Sequence, residues 1–374
     1  MKKIKILYIL PQAQQGGAET QMLNLLRNLD TTEFTLYLGM LYENKQLEKE
    51  FCSIEGLEIV DFAKNGLYDL FVYSKIASFI KKNNIDIVQT FLGNHHAYLP
   101  ALLAGKIKCI CGIRATGRPK SFSLILTKYL LPKFILNFMD ILFVSNSEEG
   151  KKIYAEKGIP SDKIQVIPNG IDAKRFTKGK KNKVIKEFNL EKKFVLGIVA
   201  RIVDSKNHEM LIKMIYELKK ESPNIALLIV GDGPHKKTLV ELSRELKLDK
   251  EIVFTGNRND IPDLLSAMDI FVFPSLFPEG WPNAVGEAMA AGRPVIAYDT
   301  GDIKYIIKNG YNGIVTSRNS EIFKEELLKL IKDKAKREHL GKNAQKTVLE
   351  NFTIKKMVSG YEEIYKGFFK ADEK

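Results

Sequence analysis

Along almost the whole chain, short apolar β-branched runs alternate with longer stretches in which apolar residues recur every three or four positions. The runs Ile4–Leu10, Phe34–Leu41, Leu57–Phe62, Ile85–Phe91, Ile107–Ile113, Ile141–Ser145 and Ile164–Ile167 predict strands. Helical periodicity fills the gaps at Ala18–Leu29, Leu47–Ile54, Leu70–Lys82, His95–Ala104, Phe122–Phe138 and Ser147–Lys157. In the first of these, Met22, Leu25, Leu26 and Leu29 fall on one side. Strands apolar at consecutive positions are those of a parallel sheet covered on both faces, so the pattern is a βαβ train.

The turn Pro168-Asn169-Gly170-Ile171-Asp172 closes that train, and the Lys-rich, weakly apolar segment Lys174–Lys193 reads as a linker. A second train follows, with strands at Phe194–Ala200, Ile225–Val230, Ile252–Thr255, Ile270–Pro274, Val295–Tyr298 and Gly313–Val315. It ends in a helix over Glu321–Leu340 and a last basic helix over Lys355–Phe369. The predicted fold class is therefore α/β, with two Rossmann-like domains, 1–173 and 174–354, facing each other across an interdomain cleft. A length of 374 residues agrees with two cores. Ligands of such sheets bind beyond the carboxyl ends of the strands.

Composition changes little in this picture, but charge narrows the partners. A net charge of +13 favours anions: a nucleotide-linked substrate or an anionic membrane face. Nucleic acid is not expected, because the lysines are dispersed and no base-stacking or helix-turn-helix pattern is present. Cys109 and Cys111 would point to one side of a strand as reduced thiols; no metal-ligand set accompanies them, and a cytoplasmic location is expected. The opening run MKKIKILYILPQ is short and interrupted by Lys5, which suits a strand better than a signal peptide. Lys128, Pro132 and Lys133 argue against a membrane span in Phe122–Met139. With Lys120, the same segment could instead lie as a basic amphipathic helix on an anionic membrane surface, or simply pack into the core.

Candidate chemistry concentrates in Phe277–Asp302. A Gly/Pro-rich loop holding Glu279 runs into a small-residue helix, Ala284–Ala291, that holds Glu287 and stops at Gly292. Helix-start amides near Asn283, Ala284 and Val285 suit a phosphate, and the carboxylates suit sugar hydroxyls. After the first strand of the second train come Arg201 and Lys206, two cations able to neutralise a diphosphate. Gly231-Asp232-Gly233-Pro234 reads as a turn with Asp232 capping the next helix, and Gly256-Asn257-Arg258 as a place for a base beside the Arg258 side chain. In the first domain, Gly16 and Gly17 open a helix, His95 and His96 follow one strand, and Arg114 and Arg118 follow another.

Together these landmarks resemble the retaining GT-B glycosyltransferases of family 4. The motifs are GGAE at residues 16–19, VSNS at 144–147, VIPNGID at 166–172, ARIVDSKNH at 200–208, VGDGP at 230–234, FTGNR at 254–258 and PEGWPNAVGEAMAAGRPVIAYDTGD at 278–302, which contains the E-x7-E pair. The resemblance implies that Glu279 holds the donor sugar, Glu287 the ribose, and Arg201 with Lys206 the pyrophosphate. It further implies that the backbone of Gly280, Trp281, Asn283, Ala284 and Val285 addresses sugar and β-phosphate, and that Gly17 lets the acceptor domain reach the donor. The last helix would cross back to the first domain. No cofactor or metal is implied. The partners are a nucleotide sugar, most simply UDP-linked, and a glycan or lipid-linked acceptor. Where the family carries a histidine after the fifth strand, this chain reads Gly112-Ile113-Arg114, so either Arg114 or the pair His95 and His96 serves the acceptor side with Gly16. Two other readings stay open: a nucleotide-sugar 2-epimerase of the same fold, and a non-catalytic glycosyltransferase-like partner subunit.

Overall fold

The computed structural model describes residues 3–11, 16–42, 47–63, 71–105, 107–114 and 126–370, except for the side chains of 127, 128 and 370. The chain divides into two compact units, Met1–Gly170 with Ile354–Lys374, and Ile171–Thr353.

The first unit holds a seven-stranded parallel sheet in the order β3-β2-β1-β4-β5-β6-β7. Its strands are β1 (Ile4–Leu10), β2 (Phe34–Met40), β3 (Leu57–Asp61), β4 (Ile87–Thr90), β5 (Lys108–Ile113), β6 (Ile141–Ser145) and β7 (Ile164–Val166). Side chains alternate between the faces. Leu7, Ile9, Val88, Cys109, Cys111 and Phe143 pack on one side. Ile6, Tyr8, Leu10, Ile87, Ile110 and Val144 pack on the other. Burial on both sides is why these strands read as unbroken apolar runs. The two thiols do share a face, with sulfurs 3.8 Å apart and no disulfide.

The last helix, Ile354–Lys370, belongs to this unit although the chain reaches it only after the second. Met357, Val358, Tyr361, Ile364 and Tyr365 enter the cluster around Tyr8 and Phe34. The Tyr365 hydroxyl meets that of Tyr8 at 2.8 Å and donates to Gln89 Oε1 at 2.8 Å.

The second unit holds a six-stranded parallel sheet in the order β10-β9-β8-β11-β12-β13. The strands are β8 (Phe194–Val199), β9 (Ile225–Val230), β10 (Ile252–Gly256), β11 (Ile270–Phe273), β12 (Val295–Tyr298) and β13 (Ile314–Thr316). Here too the two faces are both buried, Val195, Leu228 and Phe271 on one and Leu196, Leu227 and Ile270 on the other. Strand order reverses once in each sheet, between β1 and β4 and between β8 and β11. Loops leaving adjacent strands toward opposite faces open a crevice at such a point.

Three expectations need correction. Lys174–Lys193 is not a linker: it contains the helices Ala173–Phe176 and Lys181–Glu187, whose Phe176 and Val184 lie with Leu190 in the second unit's core. Three buried positions among many lysines are too sparse for periodicity to register. The helix over Glu321–Leu340 is two, Ser320–Lys332 and Lys334–Asn351; Asp333 separates them and its side chain caps the second by accepting from the Lys336 amide. Of Phe122–Phe138, the described part is a π-helical turn, Leu126–Leu130, followed by the helix Leu131–Ile135. Lys120 and Arg118, and the side chain of Lys128, lie outside the described residues. No helix among the described residues is long and apolar enough to cross a membrane.

Candidate active site

The loops after β8 and β11, Ala200–Asn207 and Pro274–Pro282, leave the second sheet at its reversal. They are tied together directly: the Leu276 amide donates to Ser205 O at 2.8 Å. Asn207 takes a left-handed conformation (φ +58°), which asparagine tolerates, and the helix His208–Leu218 starts behind it.

Across this junction the Lys206 ammonium meets Glu279 Oε1 at 2.5 Å. The buried Ser275 hydroxyl, 2.6 Å from the same oxygen, donates to it as well. Two donors on Oε1 fix the carboxylate and leave Oε2 as its available acceptor. Lys206 also lies over the Phe273 ring, 5.1 Å from its centroid. The turn after β12 completes the setting, because the Asp302 amide donates to Glu279 O at 3.0 Å. Gly301 makes that approach possible: its φ is +55°, and a Cβ there would collide with the Glu279 backbone.

Arg201 begins the loop after β8; its side chain is exposed and has no carboxylate partner among the described residues. His208 is buried, with neither ring nitrogen bonded; burial, then the Lys206 charge, brings its pKa down to about 4. It therefore stays neutral at physiological pH and adds no charge beside Lys206.

The helix Asn283–Ala290 follows Pro282, and no side chain caps its first amides. It ends at Gly292, whose φ of +68° reverses the chain so that the Arg293 amide reaches Ala288 O at 2.9 Å. Glu287 sits half-buried in this helix, and burial pushes its carboxyl up to about 7 against the lowering influence of Arg175. Trp281 is buried against Phe352, ring centroids 4.3 Å apart, so its side chain packs into the second unit's core. Val285 is likewise buried, while Ala284 and Gly280 are half-buried.

Two arginines do other work than expected. The Arg258 guanidinium is bound by Glu187, at 2.7 and 3.1 Å, and by Asp260, at 2.8 Å twice, so it is not open to a base. Arg114 donates to Asn169 Oδ1 at 2.7 Å and to the Tyr361 hydroxyl at 2.5 Å, and stacks over Phe91 at 3.9 Å. It fastens the last helix to the end of β5. Asp232 does not cap a helix: the helix Lys236–Glu245 has His235 at its start, and Asp232 accepts from Gly233 and Lys236 instead.

In the first unit, Gly16 and Gly17 follow β1 and His95 and His96 follow β4, so all four lie at the first sheet's reversal. Gly16 caps the helix Gly17–Asn28 without a side chain, and the Glu19 carboxylate folds over the space a Gly16 Cβ would fill. His95 and His96 have ring centroids 4.0 Å apart, and His96 is buried near Tyr73.

Sequence reading missed Ser275, because a lone serine at a strand end carries no pattern. Its position four residues before Glu279 was the available signal. Arg175 was missed too; it donates to Asn259 O at 3.2 Å and its charge reaches Glu287.

Two parallel Rossmann-like sheets, with a lysine–glutamate pair at the reversal of the second, define a GT-B type nucleotide-sugar enzyme architecture. The comparisons agree. The model described as Glycosyl transferases group 1 matches residues 180–347, and that described as Glycosyltransferase Family 4 matches residues 15–175. The chain belongs to this glycosyltransferase group. It is similar to the UDP-Gal:alpha-D-GlcNAc-diphosphoundecaprenol alpha-1,3-galactosyltransferase of Escherichia coli, 28% identical over 76% of each chain. It is also similar to the N,N'-diacetylbacillosaminyl-diphospho-undecaprenol alpha-1,3-N-acetylgalactosaminyltransferase of Campylobacter jejuni, 27% identical over 83% of this chain and 87% of that one. Among solved structures, HepE of Anabaena in complex with UDP superposes with a TM-score of 0.85 at 20% identity, covering 97% of this chain and all of that one.

Proposed function

We propose that the protein is a retaining, metal-independent glycosyltransferase that moves a hexose-type sugar from a UDP-linked donor to a lipid-linked or polysaccharide acceptor in cell-surface glycan synthesis. The observation that carries this reading is the Glu279 carboxylate, held through Oε1 by Lys206 and Ser275 at the sheet reversal. In this reading Oε2 of Glu279 accepts from a sugar hydroxyl. The Lys206 ammonium has three N–H groups, so it can keep Glu279 and also meet the diphosphate. Arg201 and the uncapped start of Asn283–Ala290 add positive potential there. Glu287 takes the ribose hydroxyls, and the backbone of Gly256 and Asn257 offers the base a surface, since the Arg258 side chain is engaged elsewhere. Lipid-linked acceptors are supported by the diphosphoundecaprenol substrates named for the relatives. Gly16, His95 and His96 are the acceptor-side residues in this reading, Gly17 lets the acceptor domain reach the donor, and Arg114 is a structural fastener.

In the reaction the C1–O bond to the β-phosphate breaks and an acceptor oxygen bonds C1 on the same face. The acceptor proton passes to the departing diphosphate oxygen, so no enzyme nucleophile is consumed. Arg201 and Lys206 stabilise the charge that develops on that diphosphate. The test is transfer from a panel of UDP-sugars to diphospholipid-linked saccharides, with the anomeric configuration of the product read by NMR. Transfer with retention is expected, and its loss in Glu279→Ala with Arg201→Ala. Undiminished transfer in that double variant sinks the site, and an inverted product sinks the mechanism.

A further inference from the structure

Asp232 lies two residues past β9, and Lys236 opens the helix Lys236–Glu245. Both side chains reach the end of the neighbouring strand β10. A Cβ on Gly256 would sit 3.6 Å from Lys236 Nζ and 3.8 Å from Asp232 Oδ2. Gly256 has no such atom, and its φ of +70° disfavours any side chain there. The pair therefore stands over open backbone, the same backbone that offers the base a surface in the reading above. Main-chain bonds hold this corner together. The Gly231 amide donates to Gly256 O at 2.9 Å, and the Ile202 amide, next to Arg201, donates to Asp232 O at 2.9 Å.

The pair presents a donor beside an acceptor. Asp232 Oδ1 accepts from the Gly233 amide at 2.7 Å and Oδ2 from Lys236 Nζ at 2.9 Å. Each carboxylate oxygen can accept a second bond, and the ammonium keeps two further N–H groups. The Lys236 bond, then the Gly233 amide, holds the Asp232 carboxyl below its ordinary pKa, so it stays an acceptor at neutral pH. Stability does not explain the pair: at 34 and 45% side-chain exposure, an ion pair four residues apart adds little. A base edge on which a carbonyl oxygen adjoins a ring N–H satisfies both groups. Uracil and guanine carry that edge. Cytosine and adenine carry the reverse, an amino group beside a ring acceptor, which would set N–H against ammonium and a lone pair against carboxylate.

We propose that Asp232 and Lys236 read the base of the donor nucleotide, Lys236 donating to the ring carbonyl and Asp232 accepting from the adjacent ring N–H, so that uracil or guanine is admitted and cytosine and adenine are refused. This rests on the nucleotide-sugar reading above and adds to it the residues that select the base. Arg258, expected in that role from sequence, is occupied by Glu187 and Asp260.

Titration calorimetry of the full chain with UDP, CDP, GDP and ADP tests this. For whichever ring size binds, the carbonyl-bearing member should bind about tenfold or more tighter, UDP over CDP or GDP over ADP. Asp232→Asn should bring that ratio near one, because the amide can turn either its oxygen or its N–H toward the base. Lys236→Met should narrow the ratio by weakening UDP or GDP alone. Melting temperatures without nucleotide should stay near the parent value, since both side chains are exposed. Equal binding of UDP and CDP, and of GDP and ADP, by the parent overturns the proposal. So do variants that weaken every nucleotide alike and keep the parent ratio, which would assign the pair to the shape of the turn. A parent that binds none of the four nucleotides removes the glycosyltransferase reading itself, and the base assignment with it.

Discussion

At the scale of single residues, the geometry around Glu279 makes Ser275 a positioning residue, since it orients the carboxylate without a place at the reacting atoms. Ser275→Ala should lower kcat about tenfold with little change in the donor KM, and Ser275→Thr should restore most of it. A melting temperature lowered with kcat intact would assign the hydroxyl to stability alone. Glu287 gives a pH signature. Its folded pKa of about 7 exceeds the ordinary carboxyl value, so the folded chain holds a proton there that the unfolded chain has lost. Stability from this group is therefore present at acid pH and declines as pH rises through about 7. Glu287→Gln should raise the melting temperature by about 2 °C at pH 8 and leave it unchanged at pH 5. UDP-glucose binding should strengthen by up to about tenfold from pH 6 to 8 in the parent, as the carboxylate becomes charged, and stay flat in the variant. Scanning calorimetry and titration calorimetry read both. The placing of Glu279, Lys206 and Arg201 in loops after strand ends was legible in the sequence. Arg258 and Arg114 were misread for one physical reason: a sequence shows where a guanidinium is, but not which carboxylate or hydroxyl folds onto it.

At the scale of elements, unbroken apolar runs located the long strands, which are buried on both faces, and period-3.6 patterns located the long helices, each of which buries one face. The failures share a cause. Ala173–Phe176 and Lys181–Glu187 each bury too little for a period to show, and a single residue, Asp333, separates the two helices that read as one. The segment after residue 126 reads apolar on several sides, and the structure separates those sides into one buried and one exposed. Arg114 belongs at this scale as well. Its bonds to Tyr361 and Asn169 join the end of β5 to the last helix. Arg114→Ala should lower the melting temperature by several degrees, about what losing a buried charged hydrogen bond costs, and leave UDP-glucose binding unchanged. Transfer lost at an unchanged melting temperature would return Arg114 to the acceptor side.

At the scale of the whole molecule, two βαβ trains of similar length were enough to predict two units of one fold class, because parallel sheets announce themselves by runs buried on both faces. What the sequence pattern alone does not contain is ownership: nothing in the periodicity of Ile354–Lys370 says which sheet it will cover. That helix has an order-of-synthesis consequence. The second unit is one continuous stretch, Ile171–Thr353, whereas the first needs segments from both sides of it, with Tyr8 and Tyr365 bonded across 357 residues. Domains emerging from a ribosome ordinarily complete from the amino end onward. Here the nascent chain inverts the sequence: the later unit can close while the earlier one still waits, its sheet face lacking Tyr361 and Tyr365, for Ile354–Lys370 to be translated.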